Sequence, residues 1–150
     1  MEELTYKIFE CQYCDTQFVN PKTAPENLYE SIYTNSDRLP GYDRYYRFAT
    51  QIKDVDNPLI WLSHQEKAYE FVYHFLRRRS SKGIRILEVG CGLGYLTYAL
   101  RSAGYNAFGC DLSSDAIKKA RSYFGDYYYV ADATDIKSLD AVLFDVIVLT

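Results

Sequence analysis

The sequence predicts an α/β fold built on a parallel sheet, and three observations predict it. The stretch IRILEV, residues 84–89, is an apolar run of strand length that passes straight into Gly90-Cys91-Gly92-Leu93-Gly94. A strand buried on both faces reads as such a run, and a glycine turn at its carboxyl end opens into a crossover helix. Strand-like runs then recur at 105–110, 126–130 and 144–149, separated by helical stretches. That alternation gives parallel pairing and a Rossmann-like sheet. Third, acidic residues fall at or beside the strand ends, where an open α/β sheet places its ligand: Glu88, Asp111 and Asp132.

Composition agrees with one ordinary domain. The 150 residues are 48% hydrophobic and 25% charged, with a formal net charge of -3, so no general field favours nucleic acid. No signal peptide or apolar run of membrane-spanning length is visible, which predicts a cytoplasmic protein with no membrane partner. Four cysteines in such a compartment read as thiols or ligands rather than disulfides.

Residues 1–25 form a first segment holding Cys11 and Cys14. Two thiolates at C-x-x-C spacing reach one tetrahedral metal from a tight knuckle, but they make half a site; the plainer reading is a metal-free hairpin. Residues 26–82 read as a helical cap. Leu28, Tyr29, Ile32 and Tyr33 recur at helical spacing, Leu39-Pro40-Gly41 breaks the chain, and YDRYYRFATQIK follows. Aromatics so spaced are packing residues first. Asp56-Asn57-Pro58 starts a further helix, read as continuous through LIWLSHQEKAYEFVYHFLRRR, with Leu62, Phe71, Val72, Phe75 and Leu76 on its apolar stripe. His64 and His74 lie on it without an evident partner, and Arg77-Arg78-Arg79 suits a solvated C-terminal helix end.

From residue 83 the sheet begins. After the glycine turn, Tyr95–Ala103 reads as a helix closed by Gly104, and the second strand leads into Asp111. Ser113 or Ser114 caps the next helix, Asp115 occupies its first turn and Gly125 ends it. The third strand ends in Ala131-Asp132-Ala133-Thr134, where Asp132 is also a natural turn residue. Phe144–Leu149 makes the fourth strand.

The turn reads E-x-G-x-G-x-G from Glu88 to Gly94. A dinucleotide fingerprint has G-x-G-x-x-G, and Tyr95 stands where its third glycine falls. The segment resembles motif I of the class I S-adenosylmethionine-dependent methyltransferases. The resemblance covers residues 83–150 and implies S-adenosylmethionine as cofactor, bound by Glu88, Gly90, Cys91, Gly92, Gly94, Asp111, Leu112, Asp132 and Ala133. Asp111 would take the ribose hydroxyls, Asp132 the adenine amine, and the Ala133 backbone N–H a ring nitrogen. It also implies strand order 3-2-1-4 for the strands present, with the later strands truncated from a longer protein, so that the acceptor and the catalytic residues are left unknown, the latter expected beyond Thr150, and the isolated chain is expected to be inactive. The first segment, with Phe18 and Asn20-Pro21 after its C-x-x-C, resembles the second knuckle of a zinc-binding N-terminal segment found on some of these enzymes, without the upstream cysteine pair. By the same resemblance the cap is a lid whose Tyr42, Arg44, Tyr45, Tyr46 or Arg47 reaches the methionine end. A non-catalytic S-adenosylmethionine sensor and an NAD-dependent oxidoreductase remain the alternatives. As the last of the strands present, 144–149 is expected to mediate self-association through its open edge.

Overall fold

The computed structural model describes residues 6–23, 28–35, 38–79, 83–134 and 143–150. Four parallel strands form the main sheet: β3 (Arg85–Val89), β4 (Asn106–Asp111), β5 (Tyr128–Val130) and β6 (Val146–Leu149), in spatial order β5-β4-β3-β6. This is the expected third-second-first-fourth arrangement. The register aligns Glu88 with Gly109 and Val148, and Asp111 with Val130, so the turns that follow β3, β4 and β5 open on one edge.

One sheet face presents Ile86, Ala107, Gly109 and Tyr128. Against it lie the crossover helices α5 (Tyr95–Ser102) and α6 (Ser114–Phe124), the first through Leu96 and Leu100, the second through Ile117 and Ala120. α5 ends in paired bonds from Gly104 N to Arg101 O and from Tyr105 N to Leu100 O, the pattern that satisfies the last carbonyls of a helix. Ser113 caps α6, its Oγ accepting from Ala116 N at 3.2 Å.

Ahead of the sheet come an antiparallel hairpin, β1 (Lys7–Glu10) with β2 (Gln17–Asn20), and four helices: α1 (Leu28–Thr34), α2 (Asp43–Gln51), α3 (Pro58–Ser63) and α4 (Lys67–Arg78). A short 3₁₀ turn, Ile52–Asp54, follows α2. Phe48, Ile52, Leu62, Tyr69, Val72 and Leu76 join Ile86, Leu96 and Leu100 in one core, so α2, α3 and α4 pack with the sheet layer.

Two expectations are corrected. The helix expected to run unbroken from Leu59 to the arginines is two helices. Ser63 Oγ donates to Ile60 O and Gln65 Nε2 to Trp61 O, diverting the carbonyls that would continue the ladder, and Glu66 is extended. The fourth strand begins at Val146, and it alternates: Val148 is buried while Ile147 and Leu149 are 54% and 74% exposed. Val148 lies on the helix-covered face, and its neighbours face the other way.

Candidate functional site

The site grows out of the turn joining β3 to α5. Gly90 N and Cys91 N both donate to Cys110 O, at 2.8 and 3.0 Å, which ties the turn to β4. Gly94 N donates to Cys91 O at 2.8 Å. Gly94 is the N-cap of α5 with φ +81°, and a Cβ there would lie 2.5 Å from Tyr128 Cε1 and 2.8 Å from Ala120 Cβ. Glycine is required both for the backbone angle and for this close approach. Tyr128 completes the contact by donating its hydroxyl proton to Gly94 O at 2.8 Å.

Three carboxylates face this turn or its rim in different states. Asp111 is 7% exposed; its Oδ2 accepts from Gly92 N at 2.8 Å and its Oδ1 from Ser113 N at 2.9 Å. Each oxygen keeps a further lone pair for a ligand hydroxyl. Glu88 is 2% exposed and accepts from Thr97 Oγ1 at 2.6 Å. Burial outweighs that hydrogen bond, and with the nearby Asp111 charge it pushes the Glu88 carboxyl up to about 7. Asp132 is exposed, and its Oδ1 accepts from both Thr134 N and Thr134 Oγ1 at 2.7 Å, which holds its pKa below the usual range. Asp132 therefore has the turn-capping contact that its position beside a small residue allowed.

The cleft over the turn has two chambers. One, of about 310 Å³, is lined by Val89, Asp111, Leu112, Ala131, Asp132 and Ala133 together with Tyr33 and Gly90. The other, of about 210 Å³, is lined by Tyr33 and Gly90 again, with Glu88, Cys91, Gly92, Glu66, Tyr45 and Tyr95 among its walls. The expected residues thus divide between the chambers. Gly94 lines neither and acts through the packing of Tyr128. Over Gly90 a Cβ would meet no atom within 4 Å.

Of the cap residues, Tyr45 lines the second chamber, its ring stacked 6.5 Å from that of Tyr95, whose hydroxyl lies 2.6 Å from Tyr69 Oη. Arg44 stands behind them: its Nε is 2.7 Å from Glu66 Oε1, without the alignment of a hydrogen bond, and its Nη2 donates to Tyr45 Oη. Tyr42, Tyr46 and Arg47 line neither chamber. Sequence reasoning missed Tyr33, Glu66 and Thr97. Tyr33 shares the helical spacing that was read as packing, and Thr97, three residues after Gly94, sits one helical turn along α5.

The remaining candidates stand apart. His74 Nε2 lies 4.0 Å from Glu70 Oε1 on the outer surface of α4, and neither histidine lines a chamber. Arg79 covers the Phe75 ring at 4.5 Å. Cys11 and Cys14 occupy the hairpin tip, where hydrogen bonding to Thr16 lowers the Cys14 pKa. Two thiols supply half a tetrahedral set, and among the described residues no group of three or more His, Cys, Asp or Glu is assembled for a metal. Among them, too, no helix is long and apolar enough to cross a membrane.

A family profile described as a methyltransferase domain matches residues 86–150. No curated protein matches the chain. Magnesium protoporphyrin IX methyltransferase from Synechocystis PCC 6803 with bound SAM is similar in fold at TM-score 0.51 and 18% identity, over 85% of this chain and 64% of that one. The same enzyme with bound SAH gives TM-score 0.50 and 19% identity, over 81% and 57%. A TehB-like SAM-dependent methyltransferase from Corynebacterium glutamicum is 27% identical over 51% of this chain and 42% of its own, at TM-score 0.45. The chain spans less than two thirds of each of these proteins. Residues 86–150 thus match a methyltransferase-domain profile, and their strand order is that of the Rossmann-like fold these enzymes share.

Proposed function

We propose that the chain binds S-adenosylmethionine between the glycine turn and α1, and that it serves methyl transfer to an acceptor nucleophile. The observation that carries this reading is the fate of the turn's own amides. Gly90 and Cys91 give theirs to Cys110 O, Gly92 to Asp111 and Gly94 to Cys91 O. A pyrophosphate needs such donors pointing outward. What faces the cleft instead is carboxylate: Asp111 and Asp132 in one chamber, Glu88 and Glu66 in the other. That set suits a ligand with hydroxyls, an exocyclic amine and an ammonium, and it disfavours a nicotinamide dinucleotide.

In this reading Asp111 takes the ribose, Leu112, Asp132 and Ala133 the adenine, and Glu88 with the second chamber the methionine arm. The cofactor supplies a methyl carbon made electrophilic by a positive sulfur. The chain's residues orient it and keep water from it, and no protein nucleophile is required. The acceptor is left open, and a cytoplasmic setting, in keeping with the free thiols, belongs to the same proposal.

Titration calorimetry with S-adenosylmethionine, S-adenosylhomocysteine and NAD tests the assignment. Saturable binding of the first two without NAD binding is expected. Binding of NAD alone would overturn it.

A further inference from the structure

We infer that Tyr33 contacts the cofactor's sulfur and senses its charge, an inference resting on the S-adenosylmethionine reading above. Tyr33 and Gly90 line both chambers, so they form the waist between them. A ligand that lays a nucleoside beside Asp111 and an amino-acid arm beside Glu88 must pass its connecting atom through that waist. In S-adenosylmethionine the connecting atom is the sulfonium.

The ring is held there from two sides. Its Oη and Cε1 lie 3.0 and 3.2 Å from the position a Cβ would take on Gly92, so the middle glycine of the turn leaves the room that the phenol fills. Its backbone carbonyl accepts from Lys119 Nζ at 2.6 Å, which fastens the end of α1 to α6. An aromatic face attracts a cation, and the attraction vanishes when the methyl has left and the sulfur is a neutral thioether. Tyr33 thereby favours substrate over product, and product release follows from the loss of charge.

The test is the ratio of dissociation constants for S-adenosylhomocysteine and S-adenosylmethionine, measured by calorimetry on the wild-type chain, Tyr33→Phe and Tyr33→Leu. 5′-Methylthioadenosine, a neutral thioether without the amino-acid arm, serves as the control ligand. The wild type should prefer S-adenosylmethionine by about 2- to 30-fold, the range a cation–π contact supplies. Tyr33→Phe should keep that ratio. Tyr33→Leu, which fills the space without a π face, should bring it toward one while 5′-methylthioadenosine binding changes less than about twofold. Lys119→Met, which removes the tie on the Tyr33 backbone and leaves the ring itself unchanged, should shrink the ratio part of the way. A ratio unchanged in Tyr33→Leu overturns the inference and leaves the cofactor reading intact. A wild-type chain that binds neither S-adenosylmethionine nor S-adenosylhomocysteine overturns both.

Discussion

Thr97 donates its hydroxyl proton to Glu88 across 2.6 Å in a space that admits almost no water. One hydrogen bond does not offset the loss of hydration, and the carboxyl titrates at about 7 instead of its ordinary 4.5. Between those two values the folded chain holds a proton that the unfolded chain releases, so the contribution of Glu88 to stability is greatest below pH 4.5 and is lost as pH rises through about 7. A series of thermal melts should show this decline, and Glu88→Gln should flatten it. A decline of the same slope in Glu88→Gln would assign the titration elsewhere.

The same proton bears on binding. A cationic ligand arm favours ionised Glu88, so affinity for S-adenosylmethionine should rise as pH passes upward through about 7, with a proton released on binding. Calorimetry in two buffers of different ionisation enthalpy measures that release directly. Uptake of a proton would place the ammonium away from Glu88.

Asp111 serves the ligand and the turn together. Asp111→Ala should weaken cofactor binding by about 1.5–3 kcal/mol, the range for hydrogen bonds to a charged acceptor. It also removes the acceptor of Gly92 N and Ser113 N, so the melting temperature should fall as well. Unchanged affinity in a folded variant would take Asp111 out of the ribose site.

Gly94→Ala is expected to destabilise the fold by about 2–4 kcal/mol, combining left-handed backbone strain with overpacking against Tyr128 and Ala120. Urea denaturation gives the value. A loss under about 1 kcal/mol would show that Tyr128 moves aside freely.

For β6 the proposal is self-association. Among the described residues this strand pairs with β3 alone, and Ile147 and Leu149 leave apolar surface beside its open edge. Such an edge recruits another strand. Light scattering should show concentration-dependent association that Ile147→Lys weakens; a particle size indifferent to both concentration and that substitution would exclude this surface.

The sheet was legible because its signals are local. Apolar runs, the turn at Gly90–Gly94 and the caps at Ser113 and Gly104 each announce themselves within a few residues. The carboxylates were legible because strand ends converge by topology. Tyr33 and Glu66 were not, since they reach the cleft from helices α1 and the start of α4, and no spacing rule says where a cap folds back. The break after Ser63 was likewise hidden, because side chains competing for helical carbonyls leave the apolar stripe intact on either side. The alternation of β6 escaped notice because exposed and buried apolar residues look alike in sequence.

The hydroxyl of Tyr128 reaches Gly94 O across 34 positions of sequence, and its ring fills the space a side chain at Gly94 would need. The turn that opens α5 is therefore shaped by the strand formed two crossovers later, and we expect it to settle only once residue 128 has been made. Ligand-binding competence should appear late in folding, together with the docking of β5, since contacts this distant in sequence are slow to close. Nascent chains released before Tyr128 would carry the whole glycine motif and still lack the shape that makes it a site.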